Sequence, residues 1–170
     1  IAIGIALLLG IKFPQNFDRP YSADAIREFW RRWHMTLSRW LRDYLYIPLG
    51  GNRGGKLLTH RNLMLTMLIG GLWHGAGWTF VAWGAIHGVA LVVERRRKDR
   101  PGYVEPPDTR RRRIISRLIT FNIVCFAWIF FRSDSFATAS DMITGLFTGW
   151  GEPSPLVTWG VLLAIAVGIG

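Results

Sequence analysis

From Leu63 to Val93 the chain carries no Asp, Glu, Lys or Arg. Such a run is longer than the roughly 20 residues that a helix needs to cross a bilayer. It leaves no charged face to turn towards water, so it belongs in lipid or in a large core. Three further apolar runs favour lipid. Ile114 to Phe131 holds a single charge, Arg117, and the runs Leu156 to Gly170 and Ile1 to Ile11 hold none. The expected fold class is all-α: a polytopic helical membrane protein with amphipathic or interfacial helices between its spans. The chain begins with Ile, and both its ends lie inside apolar runs. The expectation is therefore one membrane-embedded domain over 1–170, a fragment incomplete at both ends.

The formal net charge of +10 raises the question of nucleic acid, and its placement answers it. Ten of the 21 basic residues fall between Arg95 and Arg117, in the connection between two apolar runs. Basic connections mark the cytoplasmic side of a membrane protein and touch anionic lipid heads. The bilayer is thus the expected partner, and nucleic acid is not. The single Cys125 lies within an apolar run, which excludes an intrachain disulfide framework and a cysteine zinc site. No metal is expected.

Five segments follow from this pattern. Residues 24–46 read as an amphipathic helix, because Ile26, Phe29, Trp30, Trp33, Leu37, Trp40, Leu41 and Tyr44 recur at helical spacing. Arginines cover its other face, so it is too polar to span and should lie in the interface or wedge between spans. Ser22 and Asp24 are candidate caps for its start. Residues 57–93 form the apolar core, 95–113 a basic cytoplasmic loop, 114–131 a span and 156–170 a truncated span. After Phe131 a second amphipathic helix is expected.

Between the first two segments, Gly50 to Lys56 matches part of a phosphate-binding loop. Leu57 stands where that loop needs Ser or Thr, and Pro48 stands where a strand should end, so the segment reads as a tight turn.

Four histidines are candidates for chemistry. His60, next to Arg61, reads as solvated, and His87 among small neighbours reads as structural. His34 lies at the edge of the amphipathic helix's apolar face, where an imidazole could simply snorkel. His74, in "GLWHGAGW", is different. Burying an imidazole among lipid-facing groups costs free energy unless it is paired or lines a wet cavity. Its glycine neighbours weaken a regular helix, and broken helical backbone at membrane depth survives only where protein or water surrounds it. A break near His74 and a polar cavity beside it are therefore expected. The imidazole is suited by its pKa to act as a general base.

"FPQNFDRPYSADAIREFWRRWHMTLSRWLRDYLYIPLGGNRGG", followed by "GGLWHGAGWTFVAWGAIHG" and "WIFFRSDSF", resembles the membrane-bound O-acyltransferase (MBOAT) family. Within it, the resemblance is strongest to the branch that O-acetylates exported polysaccharides such as alginate. The resemblance runs through nearly the whole chain, as the carboxy-terminal part of such a protein. It implies that His74 is the family's catalytic histidine and that His34 holds the upstream polar position. It further implies no bound cofactor, an acyl-thioester donor (acetyl-CoA or an acyl carrier) as substrate, and a polysaccharide acceptor. A periplasmic or extracellular acetyltransferase partner and a multi-pass location in the bacterial cytoplasmic (inner) membrane complete these expectations. D-alanyl transfer to teichoic acid is the related alternative. A transporter, or a non-catalytic scaffold for a secreted enzyme, is the alternative outside acyl transfer.

Overall fold

The computed structural model describes residues 2–148. These residues contain seven α-helices and no strand: α1 Ala2–Leu8, α2 Ile26–Arg32, α3 Met35–Leu41, α4 Gly55–His74, α5 Trp78–Lys98, α6 Arg110–Arg132 and α7 Phe136–Thr148. The apolar run 156–170 lies outside the described residues.

The centre of the fold is the antiparallel hairpin of α4 and α5. Glycines let its legs approach. A Cβ on Gly71 would strike the carbonyl oxygen of Phe80, and one on Gly84 would strike that of Met67. Lys56 Nζ donates to the carbonyl of Asp99 at 2.8 Å, closing the hairpin at its charged end. The charge-free run is thus two pieces joined at Gly75 to Gly77, as the glycines around His74 predict.

The uncharged parts of the two legs, from Leu63 to His74 and from Trp78 to Val93, rise about 18 and 24 Å at 1.5 Å per residue. Both are shorter than a hydrocarbon core of about 30 Å. The hairpin tip, with His74, therefore lies at membrane depth when the charged end sits at the surface.

Helix α6 packs along α5 and is, among the described residues, the one helix long and apolar enough to cross a membrane. The helix over the expected span 114–131 runs from Arg110 to Arg132. The basic segment 95–113 is only partly a loop. Arg95 to Lys98 form the last turn of α5, and Arg110 to Arg113 form the first turn of α6. The oxygen of Thr109 caps α6 by accepting from the Arg112 amide at 3.2 Å. The amphipathic segment expected after Phe131 is α7, which begins beyond Ser133.

The segment 24–46 is not one helix. It consists of α2, a break at Trp33 and His34, α3, and a π-helical turn over Arg42–Tyr46. The cause is remote in sequence. The Asn16 carbonyl accepts from the Met35 amide at 2.9 Å, and Asn16 Oδ1 accepts from the Thr36 amide at 3.0 Å and its hydroxyl at 2.6 Å. These groups satisfy amides that a continuous helix would have paired internally. Neither Ser22 nor Asp24 caps α2, since its N-cap is Ala25 without a side-chain bond.

The first half of the segment packs into the protein. Ile26 and Phe29 are buried with Ala23 and Val124, packed by Trp30, Trp33, Leu91 and Trp128. Of the two positions open to an aromatic, arginine-rich helix, α2 takes the wedge.

The turn after it, Pro48-Leu49-Gly50-Gly51-Asn52, turns on positive φ at Gly50 (106°) and Gly51 (52°), a conformation that favours glycine. The buried Asn62 of α4 donates through Nδ2 to the carbonyls of Leu49 (3.0 Å) and Gly51 (3.1 Å). The turn follows a helix, and its carbonyls are engaged by protein, which suits a structural turn.

Candidate active site

At the tip of the hairpin, His74 and His34 line one cleft of about 430 Å³, with Trp30, Trp33, Trp83 and Trp128 among its walls. His74 is the last residue of α4, and its half-buried ring stands edge-on to Trp73, Trp83 and Phe131 at centroid distances of 5.0, 5.3 and 5.0 Å. Those aromatic edges fix the plane of the imidazole by packing. His34 enters from the break. Its backbone is left-handed, with φ 42° and ψ 56°, and this turns the residue out of the α2 register. Its Nδ1 is buried without a hydrogen-bond partner among the described residues. A position at the edge of a continuous helix would have left His34 a snorkelling group, but the Asn16-held break brings it to the cleft of His74.

Three more polar atoms lie in these walls. Nε1 of Trp30, Trp83 and Trp128 is buried in each case and has no hydrogen-bond partner among the described residues. Indole nitrogens are donors only, so the residues that wall this apolar cleft hold buried N–H groups without an acceptor among the described residues. Among the described residues no group of three or more metal-ligating side chains occurs.

A second cleft, of about 470 Å³, opens towards the charged end of the hairpin. Arg27, Arg31, Arg39, Arg42, Arg95 and Lys98 border it together with Glu94, and Leu41, Leu63, Met67 and Leu91 give it an apolar floor. Glu94 accepts from the Arg27 amide at 3.1 Å, which ties the start of α2 to the end of α5. Trp30 lines both clefts and is the wall between them. This basic cleft escaped the sequence reading. The arginines were visible, but as the solvated face of an amphipathic helix, and only the wedge position turns that face onto α5.

The other two histidines lie elsewhere. His60 is not solvated. Its side chain is 12% exposed, with Nε2 3.8 Å from Asp99 Oδ2, at the charged end of the hairpin. His87 is fully buried beside Phe29, Trp30 and Trp83, behind the histidine cleft rather than in it.

The chain is similar to known proteins over most of its length. The peptidoglycan O-acetyltransferase of Helicobacter pylori is 51% identical over 148 residues, covering 86% of this chain and 27% of the relative. The probable alginate O-acetylase AlgI of Pseudomonas aeruginosa is 47% identical over 150 residues, covering 87% of this chain and 27% of the relative. The teichoic acid D-alanyltransferase of Streptococcus thermophilus is 33% identical over 147 residues, covering 76% of this chain and 35% of the relative. The chain thus spans about a quarter to a third of the length of these relatives. The model of the membrane-bound O-acyltransferase family matches residues 1–140, and the chain belongs to that family.

Proposed function

We propose that the protein is a membrane O-acyltransferase of bacteria, moving an acetyl group from a thioester donor on the cytoplasmic side towards hydroxyls of an exported polysaccharide. One observation carries the reading. The cleft that holds both His34 and His74 shares a wall, Trp30, with an arginine-lined cleft at the charged end. A donor such as acetyl-CoA or an acyl carrier has an anionic part, which the arginines attract, and a thioester arm, which the apolar floor accommodates. The arm then leads past Trp30 to the histidines.

In the reaction the hydroxyl oxygen attacks the thioester carbonyl carbon while the His74 imidazole takes the hydroxyl proton. The tetrahedral intermediate collapses, the C–S bond breaks, and the proton passes from imidazolium to the leaving thiolate. The ester and a free thiol result. His34, in the same cleft, orients the hydroxyl or the developing oxyanion. Water is scarce at this depth, which limits hydrolysis of the donor. A polysaccharide, or the periplasmic partner that hands the acetyl group on to it, supplies the hydroxyl from outside. This reading puts the protein in the cytoplasmic membrane and requires no bound cofactor.

D-alanyl transfer to teichoic acid is the second reading, favoured by the streptococcal relative at 33% identity. Mass spectrometry of exported polymer, from cells with and without the full protein, separates the two by the mass of the missing ester. Unchanged ester content in cells without the protein would overturn both. A cysteine at Thr109 tests the orientation. It should resist an impermeant thiol reagent applied to intact cells, and strong labelling would reverse the assigned sides.

A further inference from the structure

His87 borders neither cleft, yet it stands directly behind both. It is 0% exposed, stacks on Phe29 with centroids 6.0 Å apart and planes 9° apart, and meets Trp30 and Trp83 edge-on at 5.1 and 5.0 Å. Trp30 and Trp83 meet each other at 5.7 Å, so the three rings form one closed group. Both ring nitrogens of His87 and Nε1 of both tryptophans are buried without a hydrogen-bond partner among the described residues. A neutral imidazole has one donor and one acceptor, and each indole has one donor. Leaving such atoms unpaired in a core costs free energy, and phenylalanine would stack on Phe29 equally well without that cost. Core filling therefore does not account for histidine at this position.

A buried water takes two to four polar partners, and the two indole N–H groups and one bare imidazole nitrogen are a complementary set of that size. The two tryptophans it would join are not passive. Trp30 is the wall between the clefts, and Trp83 holds the His74 ring edge-on at 5.3 Å and 84°. We propose that His87 is a positioning residue which, through a bridging buried water, fixes the indoles of Trp30 and Trp83 and thereby the orientation of His74. This rests on the reading of His74 as the base. Its effect belongs in turnover rather than in donor binding, because misplacing a reacting group by about 1 Å costs on the order of 10²-fold in rate.

The experiment uses the full protein in membranes, with transfer from acetyl-CoA to the native polymer measured per molecule of enzyme. His87→Phe keeps the ring stack and deletes both nitrogens. It should lower kcat about tenfold to a hundredfold, with the donor KM within about twofold of wild type. His87→Gln retains a donor and an acceptor and should restore a large part of the rate. Wild-type turnover in His87→Phe would overturn the proposal, and so would equal loss in the Phe and Gln variants, since shape alone would then matter. Should His87→Phe fail to accumulate, Trp30→Phe, which deletes one indole N–H, takes its place with the same expected loss of kcat and the same overturning result. His74→Ala runs alongside. Full activity in that variant sinks the reading of the cleft, whereas an inactive His74→Ala beside a fully active His87→Phe sinks only the positioning role.

Discussion

Helix α4 stops at His74, where the chain runs into Gly75, Ala76 and Gly77, and helix α2 stops at Arg32, two residues before His34, where the chain runs on into Met35, Thr36 and Leu37. The first stop is local. Glycine costs about 1 kcal/mol in a helix interior relative to alanine, and the reversal lets α5 pack back against Gly71. The second stop is imposed from outside. Met35 to Leu41 is helical on its own, and what separates it from α2 is Asn16, which occupies the amides of Met35 and Thr36. Both breaks deliver an imidazole to one cleft. Two kinds of cause, one written beside the histidine and one written 18 residues before it, thus give a single site.

The largest effect should come from the local break. An alcohol is a weak nucleophile near neutral pH, and a positioned general base contributes about 10²–10⁴-fold. His74→Ala should reduce ester formation by at least about that factor, with membrane abundance near wild type. His74→Gln should fail as well, because an amide hydrogen-bonds but takes up no proton. Ester content of the exported polymer, read against an immunoblot of the membranes, checks both variants. Wild-type esterification in His74→Gln would remove His74 from the role of base.

Next comes the remote break. Asn16→Ala deletes the acceptor shared by the Thr36 amide and hydroxyl, leaving a part-buried donor unpaired at a cost of about 1–3 kcal/mol. The helix should then tend to close across Trp33 and carry His34 away from the cleft, lowering transfer about tenfold. Asn16→Asp keeps the acceptor oxygen and should retain more activity than Asn16→Ala. If Asn16→Ala transfers at the wild-type rate, the break is intrinsic to Trp33 and His34, and the two breaks are alike after all.

A third substitution separates what His34 costs from what it does. Its left-handed backbone, φ 42°, costs a residue with a Cβ roughly 1–2 kcal/mol. His34→Gly relieves that strain and should be more stable to heat than His34→Ala, by about 1 kcal/mol after glycine's greater freedom in the unfolded chain is counted. Both variants should lose transfer severely. Normal transfer in either would return His34 to a snorkelling role, and equal melting of the two would mean that the left-handed turn is unstrained.

This contrast also explains how much could be read from the chain. The all-helical class, the hairpin break at His74, the long apolar helix α6 and the turn at Gly50 and Gly51 were all legible. Each depends on residues within a few positions: a charge-free run, clustered glycines, a proline. The placing of His34 was not legible, because helical periodicity from Ile26 to Tyr44 continues straight through the break. Only the docking of Asn16 decides otherwise. The arginine cleft was hidden for the same reason, since periodicity shows which residues share a face and not what that face meets. His60 misled for want of a partner in sequence, its neighbour Asp99 lying on the other leg of the hairpin.

The smallest effect should arise far from both breaks, in the connection between α5 and α6. Arg112 Nη2 donates to Glu105 Oε1 at 2.9 Å, and this hydrogen bond holds the Glu105 carboxyl below its ordinary range. A carboxylate depressed in this way stabilises the fold above its unfolded value, about 4.3, and loses that contribution as pH falls through the lower folded value. The pair is solvent-exposed, with Glu105 60% accessible, so salt screens it and its net worth near neutral pH is slight. Glu105→Gln should therefore leave the thermal midpoint at pH 7 and physiological salt unchanged within error. Wild type and variant should also converge as the pH is lowered below about 4. Transfer should be untouched, because the loop lies at the charged end of the hairpin while the histidines lie at its tip. Loss of transfer in Glu105→Gln would mean that the connection between α5 and α6 communicates with the cleft, and that the two breaks alone do not set where the imidazoles stand.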